Sequence, residues 1–585
     1  IRGFKGFSAG IYRTVYIKVT GKARIKDCYI YPSYLRSDYI YSGSDNENKC
    51  VGTETEVIHP TQEENLEKNL EKKLQENPEN QENQEENPIA LANPGNLELN
   101  WLIELAGIEK ILNIEKILNL DNLDKDEKVE IEQLGENEHK KDHEQKNEQN
   151  EEKEKNAILN WRIIDPQNCS IIAEGSLPAT QKLLKWKTGT FQMKPWSDKN
   201  PKLYNIELKL IHNGKIIDVH AQTFGLRLLE RDGTALRLNG RPVFLRGATE
   251  HAYFPLTCTP PMDIETYRSN IKKLKTLGFN WLRFHTWVPS EEYMEAADQL
   301  GMMIQVEAPL GFGKQEWLDI LHTCRKHPSV VIYCCGNEEM LHEKKIAELE
   351  EMADLLRKNV PDALFNPQEA MRGIEYYLNR SGVEEKNVEE PFPHNPGRLE
   401  WVRKFSDVFG QYPLGLLSYN STKGDWRTLN ERLVIYQRPC LSHEICIHGS
   451  YLDLDLEHRY EGTRIGTDMY SALRRYLKKE GLLSRAPLYY KNSCAWMRIL
   501  RKHCVETARM CKYIAGYDLL GAIDHHWHRS GYPCGVMNEF YELKPGESVE
   551  DVLEYNSESV ILLDCTNNRN LKSGDVLSLD LYSSL

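Results

Sequence analysis

Val330-Val331-Ile332-Tyr333-Cys334-Cys335-Gly336-Asn337-Glu338-Glu339 is a run of apolar and aromatic residues that stops abruptly at Gly-Asn-Glu. A buried parallel strand that delivers polar side chains at its carboxyl end has this form. In parallel α/β architectures those strand ends are where chemistry sits. Taken alone, Glu338 and Glu339 also suit the opening turn of a following helix, where the dipole favours acids.

The residues on either side decide the matter. Upstream, Val243–Gly247, Asn280–His285 and Met303–Glu307 are short apolar strands. Between them Asp263 caps a helical pattern of Ile264, Tyr267, Ile271, Leu274 and Leu277 closed by Gly278, and Ser290 opens a helix ended by Gly301. Downstream, Ile346, Leu349, Met352 and Leu356 mark another helix, and strands are expected near 363–366, 405–409, 439–445 and 519–524. Alternation of strand and helix over some 300 residues predicts a (β/α)₈ TIM barrel, placed at 227–545.

Ahead of the barrel the period is two. Leu203–Ile211 largely alternates, Asn213-Gly214 supplies a hairpin turn and Ile216–Val219 returns. Residues 15–60 and 157–226 together make one immunoglobulin-like β-sandwich. It is interrupted by 61–156, which carry 27 Asp and Glu against 12 Lys and no Arg. That insert is expected to be mostly disordered, because it cannot bury enough apolar surface to offset chain entropy. Inside it, Ile108–Asn113 is repeated at once as 114–119. After the barrel, 546–585 read as the beginning of a C-terminal β domain. The fold class is therefore multidomain, α/β plus all-β.

The net charge of −14 resides in the insert, so the folded remainder is about neutral and nucleic acid is not an expected partner. No run of 18 apolar residues suggests a membrane span. The chain starts at Ile1, not Met, so its compartment is unreadable, as is its oligomeric state. The 14 cysteines show no metal spacing and read as buried free thiols in a reducing compartment, with some disulfides if the protein is secreted.

Strand ends of the expected barrel present His251, Arg283, His285, Glu307, Asn337, Glu338, Glu444 and Asp524. Two carboxylates stand in parallel settings: Glu338 after strand four, and Glu444 in Leu441-Ser442-His443-Glu444 after strand seven. Glycoside hydrolysis needs such a pair, one giving a proton to the leaving oxygen and the other attacking the anomeric carbon.

Several motifs then carry a resemblance. Gly10-Ile11-Tyr12-Arg13, Pro195-Trp196-Ser197, Asn200–Tyr204, Phe224-Gly225-Leu226-Arg227, Leu238–Val243, Leu245-Arg246-Gly247, Arg283-Phe284-His285, Gly336-Asn337-Glu338 and Ser442-His443-Glu444 occur in family order. The chain thus resembles glycoside hydrolase family 2, the family of β-galactosidases, β-glucuronidases and β-mannosidases. The resemblance implies an exo-acting retaining β-glycosidase with a carbohydrate substrate and no cofactor or metal. It implies Glu338 as general acid/base, Asn337 on the sugar 2-hydroxyl, Glu444 as nucleophile and Arg283 as the group holding Glu444 ionised. His285, His443, Glu307, Asp524 and Trp527 are expected pocket residues, and Glu339 is expected to point elsewhere and open a helix. Residues 1–14 would be the remnant of the family's N-terminal jelly-roll sugar-binding domain, and the insert is atypical.

Two other readings stand beside this one. Asp524-His525-His526-Trp527-His528 could hold a metal, as in metal-dependent barrel hydrolases. A non-catalytic carbohydrate-binding relative that lost its first domain is the other.

Overall fold

The computed structural model describes residues 23–32, 96–108, 157–372, 396–412, 426–525, 533–564, 572–574, 576 and 579–584. The expected remnant at 1–14, Trp527 and the repeat beyond Ile108 lie outside them.

Among the described residues, seven strands form the sandwich: β1 Arg24–Pro32, β2 Asn96–Ala106, β3 Ala157–Asp165, β4 Ser170–Pro178, β5 Leu183–Gln192, β6 Tyr204–His212 and β7 Lys215–Phe224. One sheet runs β1-β2-β5 and the other β4-β3-β6-β7, with antiparallel neighbours throughout. β2 corrects the expected extent of the insert. Its Leu99, Trp101, Ile103 and Leu105 alternate into the same core as Leu159, Ile163, Ile206 and Leu208. Trp101 also stacks on Trp186 across the β2–β5 pair, with ring centroids 4.9 Å apart. An apolar face of period two forms a strand even where the flanking composition is polar.

Three short strands follow: β8 Leu229–Asp232, β9 Ala235–Leu238 and β10 Arg241–Val243. The expected strand Val243–Gly247 is thereby split, Val243 ending β10 and Leu245 beginning β11. Leu229, Leu236 and Leu238 pack against Leu245, Trp281, Met303 and Leu364, the first residues of barrel strands, and so plug the amino-terminal end of the barrel.

The barrel alternates β11 Leu245–Glu250, α1 Ile264–Thr276, β12 Trp281–Phe284, α2 Glu291–Leu300, β13 Met303–Glu307, α3 Lys314–Cys324, β14 Val330–Cys334, α4 Glu343–Asn359 and β15 Leu364–Asn366. It continues through α5 Pro396–Phe405, β16 Phe409–Gln411, α6 Trp426–Leu433, β17 Cys440–Ile445, α7 Asp468–Lys479, α8 Ala486–Met510, β18 Ile514–Leu519 and α9 Val549–Asn556. The eight strands order as β15-β14-β13-β12-β11-β18-β17-β16, all pairs parallel. The seam between β15 and β16 is closed by a bridge of Glu369 with Gly410, by Ala370 N–H to Gly410 C=O at 2.9 Å and by Asp407 N–H to Phe365 C=O at 3.0 Å.

Local chemistry explains the helix ends. Asp263 accepts hydrogen bonds from the Glu265 and Thr266 N–H groups at the start of α1, and Gly301 closes α2 at φ 71°. Two expected strands are displaced. Phe405 ends α5, and the strand comes later at Phe409. The eighth strand ends at Leu519, five residues before Asp524. The expected boundary at 545 also moves, because α9 sends Val552 and Tyr555 into the barrel's core. Beyond it, β19 Val560–Asp564 and β20 Asp580–Ser584 pair antiparallel and dock on the barrel through Arg509 to Ser584 Oγ at 3.1 Å.

Sandwich and barrel share a buried polar contact. Arg227 Nη1 donates to Asp362 Oδ2 at 2.5 Å and Tyr29 also bonds Asp362. Among the described residues no helix is long and apolar enough to cross a membrane.

Candidate active site

Parallel strands of a closed barrel aim their last residues at one end, and there the chain gathers a dense set of charges. Arg283, the third residue of β12, lies at its centre. Its Nε donates to Glu307 Oε2 at 3.0 Å, Nη1 to Glu444 Oε1 at 3.0 Å and Nη2 to Asn337 Oδ1 at 2.8 Å; Asp518 Oδ2 lies 3.5 Å away. A guanidinium offers five donors in a rigid fork, which suits it to organise several acceptors at once.

Glu444 stands where β17 is irregular: pairing with β18 shifts register between Ser442 and Ile445, and Glu444 adopts φ 46°. Glu338, just past β14, has φ 57°. Its N–H donates to the Glu369 carbonyl at 2.8 Å and Glu369 N–H to the Gly336 carbonyl at 2.9 Å, which fix this turn to the strand-five end. A non-glycine residue in left-handed backbone is disfavoured, and such positions cluster at functional sites.

The two glutamates meet at Tyr412. Its hydroxyl lies 2.6 Å from Glu338 Oε1 and 3.2 Å from Glu444 Oε2. Two oxygens reached by one hydroxyl can be no farther apart than those two contacts laid end to end. That closeness suits the roughly 5–5.5 Å spacing of a retaining carboxylate pair.

Their electrostatic settings differ. Burial alone would raise the Glu444 carboxyl, but His443, Arg283 and His285 together hold it down at about 2. Glu338 is likewise opposed by burial, yet Tyr412 and Arg372, whose Nη2 is 2.6 Å from Oε2, lower it below the ordinary carboxylate range. In this arrangement both are therefore ionised at neutral pH.

His443 is fully buried beneath Glu444. Its Nδ1 meets Glu369 Oε2 at 2.8 Å and its Nε2 is 3.6 Å from Glu444 Oε2. Burial disfavours its protonation, but Glu444 and Glu369 outweigh this and raise it to about 9. Glu369 has its place because Gly410 lacks a side chain: a Cβ there would come within 1.8 Å of Glu369 Oε2. Glu369 also receives Gln305 Nε2 at 2.6 Å and Asn366 Nδ2 at 2.7 Å. Burial pushes Glu307 up to about 7 and Asp518 up to about 6 against the pull of Arg283.

Of the expected residues, Arg283, Asn337, Glu338, Glu444, His285, His443 and Glu307 come together. His285 Nε2 is 3.6 Å from Glu444 Oε1. Glu307 and His443, however, are wholly buried behind the carboxylates, so they support the pocket without lining it. Glu307 spends its second oxygen on Thr286 N–H at 2.9 Å. Asp524 does not join them. It is buried against Lys544 Nζ at 2.8 Å and the Gly535 N–H at 2.8 Å, an internal ion pair that follows from β18 ending at Leu519. In the expected metal cluster, Asp524 is thus committed to a lysine, and residues 526–528 lie outside the described residues. Glu339 does point elsewhere, to Lys345 Nζ at 2.6 Å, but α4 starts only at Glu343 with His342 as its cap. Tyr412, Glu369, Asp518 and Arg372 were not foreseen. Tyr412 and Asp518 escaped because their strands were misplaced, although Asp518 interrupts the apolar run Ile514–Leu519 as a buried strand acid does.

Comparison with known proteins bears on this arrangement. Residues 111–227 match the family model described as glycosyl hydrolases family 2. A β-galactosidase of Psychromonas ingrahamii is 28% identical over 165 residues, 25% of this chain and 16% of that protein. Among solved structures, a family 2 β-galacturonidase from Eisenbergiella tayi bound to glycerol aligns with TM-score 0.53 at 13% identity, over 92% of this chain and 72% of that one. A Bifidobacterium dentium β-glucuronidase complexed with coumarin-3-O-glucuronide aligns with TM-score 0.53 at 12% identity, over 91% and 66%. At such identities the structural likeness speaks for the fold. The chain spans between 16% and 27% of the length of the first curated relatives it matches.

Proposed function

We propose, from the premise that this chain belongs to glycosyl hydrolases family 2, that it cleaves terminal β-linked sugars with retention of configuration. β-Galactosides, β-glucuronides and β-mannosides are the candidate substrates. The observation that carries the reading is the single Tyr412 hydroxyl shared by Glu338 and Glu444.

Glu444 is the nucleophile. Arg283 and His443 keep its carboxylate ionised, and its attack on the anomeric carbon forms a glycosyl ester as the bond to the leaving oxygen breaks. Glu338, protonated, gives its proton to that oxygen. It then takes a proton from water, whose oxygen attacks the same carbon and releases Glu444. For Glu338 to begin as an acid, its contact with Arg372 must give way to the leaving oxygen; the nearby Glu444 charge then favours the protonated form. Asn337, its carbonyl taken up by Arg283, offers its amide NH₂ to the sugar 2-hydroxyl. His285, on the pocket side of Glu444, meets another hydroxyl. No cofactor enters these steps. We propose the same residues as the site of an exo-acting enzyme.

The test is a pair of variants. Glu444→Ala abolishes hydrolysis of aryl β-glycosides, and azide restores turnover to give a glycosyl azide of inverted configuration. Glu338→Ala still forms the covalent intermediate from substrates with good leaving groups. Full activity in either variant overturns the assignment, and a panel of nitrophenyl glycosides names the sugar.

A further inference from the structure

We infer that His251, His285 and Glu444 form a binding site, open to the pocket, for a divalent transition-metal ion of the zinc class. Occupying it would withhold Glu444 from substrate, a consequence that rests on the nucleophile role proposed above.

The case is geometric first. Each of the three residues has a ligand atom within 4.8 Å of the other two. His285 Nε2 lies 3.6 Å from Glu444 Oε1. Zinc binds histidine nitrogen at about 2.0–2.1 Å and carboxylate oxygen at about 2.0–2.2 Å, so a tetrahedral ion sets its ligand atoms roughly 3.3–3.5 Å apart. The pair needs only a small adjustment to share one. His251 approaches from the end of β11, its ring 5.0 Å from that of His285 and 4.3 Å from that of His525. Two imidazoles and one carboxylate are a donor set suited to zinc, copper or nickel, and three protein ligands leave an open position toward solvent.

Arg283 and His443 both stand against a further cation at Glu444, Arg283 Nη1 3.0 Å from the same oxygen and His443 Nε2 3.6 Å from the other. The charge of Arg283 is, however, already divided among Glu307, Glu444 and Asp518. A carboxylate has about four lone-pair directions, enough to serve both. The other cluster of suitable residues, Glu369, His443 and Asp518, is not such a site. All three are fully buried, and His443 Nδ1 is already engaged with Glu369 Oε2 at 2.8 Å.

The test uses the full chain, reduced and metal-free, titrated with Co²⁺ and followed by absorption. One equivalent is expected to raise the visible ligand-field bands of a four-coordinate ion, without the near-ultraviolet thiolate charge-transfer band that the cysteines would give. His251→Ala and, separately, Glu444→Gln should each remove those bands, with circular dichroism confirming the fold of both. Absence of the bands, a thiolate band in their place, or bands that survive in folded His251→Ala overturns the site. Zn²⁺ is then added to the hydrolysis of a nitrophenyl β-glycoside, where inhibition competitive with substrate and reversed by chelator is expected. Spectroscopic binding without inhibition leaves the site standing and overturns the nucleophile role of Glu444. Undisturbed hydrolysis with no spectroscopic binding overturns the site and leaves that role standing.

Discussion

Glu444 and Glu338 face one tyrosine hydroxyl from surroundings that differ in almost every respect. Glu444 is nearly buried and is held by Arg283 on one side, with the imidazolium of His443 beneath it. Those cations are in turn compensated by Glu307, Glu369 and Asp518, none of which is exposed to solvent. Glu338 keeps about a third of its side chain exposed (30%) and has one arginine, itself 36% exposed. A charge fixed by a buried, hydrogen-bonded network cannot be changed cheaply, whereas one facing an exposed partner can. The first setting suits a group that must stay ionised, the second a group that must gain and lose a proton in each cycle.

The comparison breaks most completely at Arg283. Arg283→Gln leaves Glu307, Glu444 and Asp518 without their common cation, and breaking such a buried pair costs roughly 3–5 kcal/mol. We expect kcat/KM to fall on the order of a thousandfold and thermal unfolding to begin at a clearly lower temperature. A loss of activity below tenfold would mean that Glu444 does not depend on this network. Tyr412→Phe removes a group common to both sides. A hydrogen bond to a charged group is worth about 1.5–3 kcal/mol, so kcat/KM should drop about 10- to 150-fold with little change in melting temperature. An equal loss for good and poor leaving groups would place the effect on Glu444, and a larger loss for poor ones on Glu338.

The smallest effect sharpens the contrast. Arg372 stabilises the Glu338 carboxylate, so Arg372→Gln raises the pKa of that group in the free enzyme. The protonated acid then survives to higher pH, and the alkaline limb of the kcat/KM profile moves upward. The optimum itself should change by no more than about fivefold, because an exposed ion pair is worth at most about 1 kcal/mol. An alkaline limb that stays in place would show that Arg372 does not govern the acid.

How much of this was legible in the chain follows the same division. Glu338, Glu444, Asn337 and Arg283 announced themselves as polar residues closing apolar runs, and the strand-helix period placed them at one end of a barrel. The supporting shell did not announce itself. Glu369 follows a three-residue strand, and its position depends on Gly410 and on a histidine from another strand, relations that no local pattern carries. Asp518 was hidden by placing strand eight at Leu519–Asp524, where Asp524 instead belongs to Lys544. β2 was hidden by averaging: its alternation of Leu97, Leu99, Trp101, Ile103 and Leu105 is clean, but it sits among glutamates and asparagines that dominate any wider window. Composition reports the neighbourhood, while period reports the strand.

The seam between β15 and β16 has a consequence in time as well as in space. Seven of the eight strand neighbours are joined by ladders of successive residues; this one is joined by one bridge and a few backbone hydrogen bonds. Local opening of a sheet starts where the fewest bonds must break together. Glu369 forms that bridge, and Tyr412 follows directly on β16. Breathing of the barrel at its thinnest line would therefore loosen the base under His443 and the hydroxyl between the two carboxylates before any strand was lost. The amides of the seam are where hydrogen exchange would show it.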